Sequence, residues 1–236
     1  TRDEADALMA GLNALFSDIG HFEAPAPDRW YVALNEEPRP FFHPLADVNG
    51  RPIQLFMPEG EDIARWARLA NELEVWLYNH PINAAREATG QRSINGVWLW
   101  GAGPQDLPLR APASQIQADA PFARGLALHA GITPRPATRY IEGTGFAVID
   151  TLQRPSLHFD ATAWLSAIAQ LETDWFAPLL KALKAKKITA LRISAPGDKH
   201  HLQLDVAASS LWKFWRKPRP LAALLATAPQ PNPQNP

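Results

Sequence analysis

The stretch from Ile63 to Gly103 constrains this chain most. In it a long amphipathic helix, a proline, a short capped helix and an apolar strand follow one another without a break. Ile63, Trp66, Leu69, Ala70, Leu73, Trp76 and Leu77 recur at helical spacing, which predicts a helix to about Asn79. Glu59, Glu61 and Asp62 favour its N-terminus electrostatically. Pro81 ends that helix or restarts a new one, which runs to about Thr89 and is capped by Gly90. Ile94–Trp100 reads as a strand, and Gly101-Ala102-Gly103-Pro104 turns out of it. On this scaffold His80, Asn83, Arg86 and Asn95 place polar, ligand-capable groups at fixed offsets. A packed core does not need them, whereas a site for a small anion does. Taken one at a time they have plainer roles: Asn caps helices, His-Pro makes a turn, and an Arg on a short helix faces water.

The rest of the chain alternates helices and strands. Ala5, Leu8, Leu12 and Phe16 predict an amphipathic helix over residues 3–18, and Thr1-Arg2-Asp3-Glu4 reads as its capping box. Pro25 and Pro27 break the chain before a strand at Trp30–Leu34. Residues 35–60 loop over the surface, with a short strand at Ile53–Met57. Residues 104–114 carry three prolines and read as a linker. Ile116 falls in a short strand, Pro121–Ala130 in a helix stopped by Gly131, and Gly145–Ile149 in an apolar strand. Ala161–Lys186 is the longest predicted helix, with a kink or break at Pro178. Strands at Ile188–Ile193 and Leu202–Val206 flank a Pro-Gly turn. The pattern predicts an α/β fold, a mixed sheet with flanking helices. It divides into a lobe at 1–104, a second lobe at 105–228 and a disordered polar tail at 229–236.

Composition narrows the function classes. Hydrophobic residues make up 46% and charged residues 20%, enough for a sizeable core in a soluble chain. A net charge of -1 gives no field to gather nucleic acid or an anionic membrane. The absence of cysteine excludes disulfides, thiolate metal sites and cysteine nucleophiles, in keeping with a cytoplasmic protein. No apolar run approaches the roughly 20 residues a membrane helix needs. Leu211–Arg219 interleaves Trp, Lys and Arg; in a neutral chain the aromatics read as core and the cations as a solvated face. No Gly-x-Ser-x-Gly elbow, P-loop, dinucleotide fingerprint or His-Glu-x-x-His is present.

Several segments together resemble a known family. They are Asp28–Glu36, His43–Gly50, His80-Pro81-Ile82-Asn83 with Arg86, Ile94–Gly103, and Ala123–Ala127 with Gly131. The pattern resembles the archaeal-type cofactor-independent phosphoglycerate mutases of the alkaline-phosphatase-like superfamily. It is closer still to proteobacterial regulator-of-pathogenicity-factors type E proteins. The likeness to the mutases is strongest over 28–131. The resemblance implies a mutase-like fold, with an N-terminal segment that precedes the position of Thr1. It also implies a ligand-binding lobe in which His43, Asp47, His80, Asn83, Arg86 and Asn95 meet a phosphorylated or carboxylated metabolite.

Mutases of this kind use two divalent metal ions, here Mn or Zn, held by grouped Asp and His. The chain departs from that ligand pattern. It has no Asp-Gly pair. After the strand ending at Ile149, His158 matches a ligand His, but Arg154 falls where an Asp is needed. After Ser194 the chain reads Ala195-Pro196-Gly197-Asp198 with no Asp-His, and His200 and His201 come too late. The expectation is a non-catalytic regulatory or small-anion-binding protein without a cofactor, built on a degenerate mutase-like fold. One alternative is an active metal-dependent phosphoglycerate mutase or phosphatase. The other is a protein-interaction module, with a protein partner in place of a metabolite.

Overall fold

The computed structural model of the protein describes residues 1–104, 107–197 and 201–212. The chain divides into two compact units, Thr1–Leu107 and a second that begins at Pro108.

The first unit is built on α1 (Arg2–Leu15), where the capping box forms as written. Thr1 Oγ1 accepts from the Glu4 N–H at 3.3 Å, and the Glu4 carboxylate returns to the Thr1 amine at 2.6 Å. Ala5, Leu8, Met9 and Leu12 form its buried stripe. An antiparallel hairpin follows, β1 (Gly20–Ala26) and β2 (Arg29–Leu34). β1 was not expected, because Pro25 reads as a breaker. The register shifts between Glu23 and Ala26, so the missing proline N–H falls where the ladder is already irregular. Asn13 binds α1 to β1, donating to Phe22 O at 2.9 Å and accepting from Phe22 N at 2.7 Å.

A short α2 (Leu45–Val48) and a 3-10 turn at Ile53–Phe56 come next. The strand expected at Ile53–Met57 is therefore not formed. Ile53, Leu55 and Met57 are 52%, 71% and 44% exposed, so no buried face rewards alternation. α3 (Ile63–Tyr78) buries Trp66, Leu69, Leu73 and Leu77, four positions at helical spacing. Pro81 restarts the helix as α4 (Pro81–Ala88), and Gly90 follows at φ +71°, a left-handed position that favours glycine. Ile94–Trp100, expected as a strand, belongs to no sheet. Ile94, Val97 and Leu99 pack on the core, but no described strand lies beside their backbone.

The second unit opens with a β-α-β unit. β3 (Ile116–Ala118) leads into α5 (Pro121–His129), and β4 (Phe146–Val148) returns parallel to β3. α6 (Gln153–Leu157) and α7 (Ala161–Leu171) follow. A π turn (Glu172–Phe176) passes into α8 (Ala177–Lys184), then comes the hairpin β5 (Ala190–Pro196) and β6 (His201–Ala207). The predicted long helix is thus helical as far as Lys184, two residues short of its expected end, with a π turn where Pro178 demands an adjustment. Proline has no N–H to return to the Asp174 carbonyl, and that carbonyl accepts the Tyr140 N–H at 2.9 Å instead. Gln117, fully buried in β3, donates to Pro136 O and Arg139 O and accepts from Ile141 N and Thr144 Oγ1.

The architecture is mixed α/β, but the described strands do not join into a single mixed sheet. The described strands make three two-stranded sheets, two antiparallel and one parallel. Each pair is local in sequence, and no described strand bridges one pair to another. Among the described residues no helix is long and apolar enough to cross a membrane. His200, most of the basic segment (213–219) and the tail at 229–236 lie outside the described residues.

Candidate functional site

The polar motif of the first unit is positioned by the break between α3 and α4. Proline at the first position of α4 makes no demand on the orphan N–H, and His80 becomes the N-cap. Its Nδ1 accepts the Ile82 N–H at 3.3 Å. In the neutral ring the proton then sits on Nε2, which is left as a donor. The His80 ring meets Trp76 edge-on at 4.9 Å between centroids.

One turn along α4, Asn83 is 4% exposed and wholly occupied by backbone. Its Nδ2 donates to Leu77 O at 2.7 Å and to Ile94 O at 2.8 Å, while Oδ1 accepts from Ile94 N at 2.7 Å. It clamps the end of α3 to the segment after α4, and so supplies the pairing that a neighbouring strand would have given Ile94. Arg86 is held on both sides as well. Nη1 meets Glu4 Oε1 at 2.9 Å and Nε donates to Arg92 O at 2.7 Å. The Glu4 carboxyl is drawn down to about 2 by the Thr1 amine first, then by Arg86 and the Thr1 hydroxyl.

The other candidates lie apart from this clamp. His43 Nε2 is 3.2 Å from Glu59 Oε1, between the edges of Phe41 and Phe56. Its carbonyl accepts Trp98 Nε1–H at 3.3 Å. Asp47 is exposed on α2, and Asn95 is exposed in the extended segment. The structure therefore joins Asn83 and Arg86 into a scaffold around α4, with His80 at its edge, and places His43 in a separate network.

His80 borders an open groove of about 570 Å³ lined along α3 by Arg68, Asn71, Glu72, Val75, Trp76 and Asn79. The floor is Trp76, which lies over Gly11 of α1; a Cβ at Gly11 would stand 2.4 Å from Trp76 Cζ2. The lining is mostly apolar and includes the polar residues Arg68, Asn71, Glu72, Asn79 and His80. Sequence reasoning missed the α3 side of this groove. The signal was present: Arg68, Glu72, Val75 and Asn79 recur at three- and four-residue steps, a second stripe beside the buried one.

In the second unit His158 is exposed and closes α6, and Asp160 Oδ1 caps α7 through the Ala163 N–H at 2.9 Å. Among the described residues no three His, Asp or Glu side chains are grouped so as to hold a metal ion. The described residues thus do not fit the two-metal centre that the resemblance implies.

Comparison with known proteins finds archaeal phosphoglycerate mutases. A 2,3-bisphosphoglycerate-independent phosphoglycerate mutase of Methanosarcina barkeri is 28% identical over 169 residues, covering 66% of this chain and 41% of the mutase. The corresponding enzyme of Methanothrix thermoacetophila is 34% identical over 61 residues, 26% of this chain and 16% of the enzyme. The chain is a distant, partial relative of the archaeal cofactor-independent mutases. A second mutase, from Methanothermobacter thermautotrophicus, is 29% identical over 109 residues, 42% of this chain and 26% of its own length. The chain spans less than half the length of these curated relatives. No family model matches it. No solved structure matches it.

Proposed function

We propose that this is a non-catalytic, cytoplasmic regulatory protein that binds a small carboxylated or phosphorylated metabolite on a mutase-related fold. It corresponds to the regulator-of-pathogenicity-factors type E group rather than to the working mutases. The observation that carries this reading is the groove between α3 and α4. Arg68 and the His80 Nε2–H offer donors to an anionic group there, beside the apolar surface of Val75, Trp76 and Pro81. Asn83 and Arg86 support the reading from behind. Their polar atoms hold backbone and Glu4, so they position His80 rather than touch the ligand.

The test is a thermal-shift and calorimetric titration with 3-phosphoglycerate, with and without Mn²⁺ and chelator, alongside a mutase assay. Metal-independent stabilisation that is lost in Arg68→Ala and His80→Ala supports the proposal. Turnover that requires Mn²⁺ or Zn²⁺ would establish the active-mutase reading in its place. No response to metabolite or metal would leave the protein-interaction reading.

A further inference from the structure

Two Asn-Gly steps occur in the chain, Asn49-Gly50 and Asn95-Gly96. A glycine leaves the backbone nitrogen after an asparagine unshielded, because it has no Cβ to hinder approach. The fold treats the two steps differently. Asn49 closes α2, its N–H donating to Leu45 O at 3.0 Å, and sits at φ -61° and ψ 125°. Gly50 follows at φ +78°, and the Arg51 N–H donates back to Val48 O at 3.0 Å, so this step is the centre of a hydrogen-bonded type II turn. Asn95-Gly96 lies exposed in the extended segment after α4, in no helix and no described strand. Neither the Asn95 carboxamide nor the Gly96 N–H has a hydrogen-bond partner among the described residues. Nothing lies within 4 Å of where a Gly96 Cβ would stand.

We propose that Asn95 is a modification site, where spontaneous deamidation produces isoaspartate and releases the grip of Asn83 on the segment after α4. The Gly96 nitrogen attacks Cγ of Asn95 and forms a C–N bond. The Cγ–Nδ2 bond breaks, and ammonia leaves with the amide proton. Water then opens the cyclic imide at either carbonyl. Opening at the main-chain carbonyl gives isoaspartate, whose backbone runs through Cβ and is one methylene longer. Ring closure needs Asn95 to rotate about ψ, and Gly96 has the conformational range to absorb that rotation. At Asn49 the same rotation breaks the Arg51–Val48 bond of the turn. The surroundings of Asn95 set the consequence. Asn83 holds the Ile94 N–H at 2.7 Å and the Ile94 carbonyl at 2.8 Å. Beyond Gly96, Val97 and Leu99 pack on the core, and Trp98 Nε1 donates to His43 O at 3.3 Å. A methylene inserted between these anchors puts one side out of register with the other.

Peptide mapping by mass spectrometry tests this after incubation of the 236-residue chain in mildly alkaline buffer, folded and in urea. The ratio of the Asn95 rate to the Asn49 rate should be at least about threefold higher in the folded chain than in urea. An isoaspartyl methyltransferase should label position 95 of the folded chain first. An unchanged or lower ratio, or an unmodified Asn95, would overturn the proposal. Gly96→Ala adds a methyl where there is room for it. It should slow the reaction at Asn95 and keep the thermal midpoint; an unchanged rate would count against attack by the Gly96 nitrogen. Asn95→Asp supplies the charge without the longer backbone. It should melt with wild type, while the isoaspartate fraction melts lower. An isoaspartate fraction that melts with wild type would show that the segment accepts the extra methylene, and the coupling to Asn83 would fall.

Discussion

Arg86 and Glu4 meet at 2.9 Å across 82 positions of sequence, joining the first turn of α1 to α4. The same carboxylate receives the Thr1 amine and hydroxyl. One acidic side chain therefore closes the capping box of α1 and neutralises the one cation of the polar motif.

This pairing predicts a specific acid response. The Glu4 carboxyl is lowered from 4.5 to about 2, so its stabilising contribution is complete above pH 4.5 and is lost as pH falls towards 2. Glu4→Gln keeps the capping geometry and removes the charge. Its thermal midpoint should fall below wild type at pH 7 and converge with it near pH 2. A constant offset across that window would show that the pairing does not titrate as described.

Asn83 is the clamp on which the motif depends. Asn83→Ala leaves the Ile94 carbonyl and N–H without their side-chain partner and takes from the Leu77 carbonyl one of its donors, the His80 N–H remaining at 3.0 Å. By the cost of buried unpaired groups, the loss should be about 3 kcal/mol in urea unfolding. Asn83→Asp should be no better, because a carboxylate cannot donate to either carbonyl. Wild-type stability in either variant would mean that the segment after α4 is held by its apolar side chains alone.

Gly11 sets how closely α1 approaches α3. A Cβ there would stand 2.4 Å from Trp76 Cζ2, so Gly11→Ala must displace the indole that floors the groove. Overpacking of this kind costs about 1–3 kcal/mol. Tryptophan fluorescence should shift, and any metabolite binding at the groove should weaken together with stability. Binding without change would place the ligand elsewhere.

Pro178 keeps the Asp174 carbonyl free for Tyr140. Pro178→Ala supplies a competing N–H within the helix, so the Tyr140 amide should exchange faster while helix content is held or rises. Nuclear magnetic resonance exchange rates at Tyr140 decide it; an unchanged rate would mean that the π turn is imposed by packing around Trp175.

Helices were the legible part of this chain. α1, α3 and α4 announce themselves through three- and four-residue apolar spacing and through Thr1, Pro81 and Gly90, because helical hydrogen bonds are local and each residue's burial follows from its own neighbours. Strands were less so. Ile94–Trp100 has the apolar content of a strand and Ile53–Met57 some of it, yet neither finds a neighbour among the described strands, and β1 forms despite Pro25 because its ladder is already irregular there. A strand is made by its partner, and the partner is not written in the strand's own residues. The candidate site divides along the same line. His80, Asn83 and Arg86 could be named from the sequence, with their spacing and their chemistry. Whether each faced a ligand or the backbone was decided by Glu4, Leu77 and Ile94. Those contacts form only when α1, α3 and the segment after α4 close around the short helix, since a side chain's hydrogen bonds depend on which distant groups the fold brings within 3 Å.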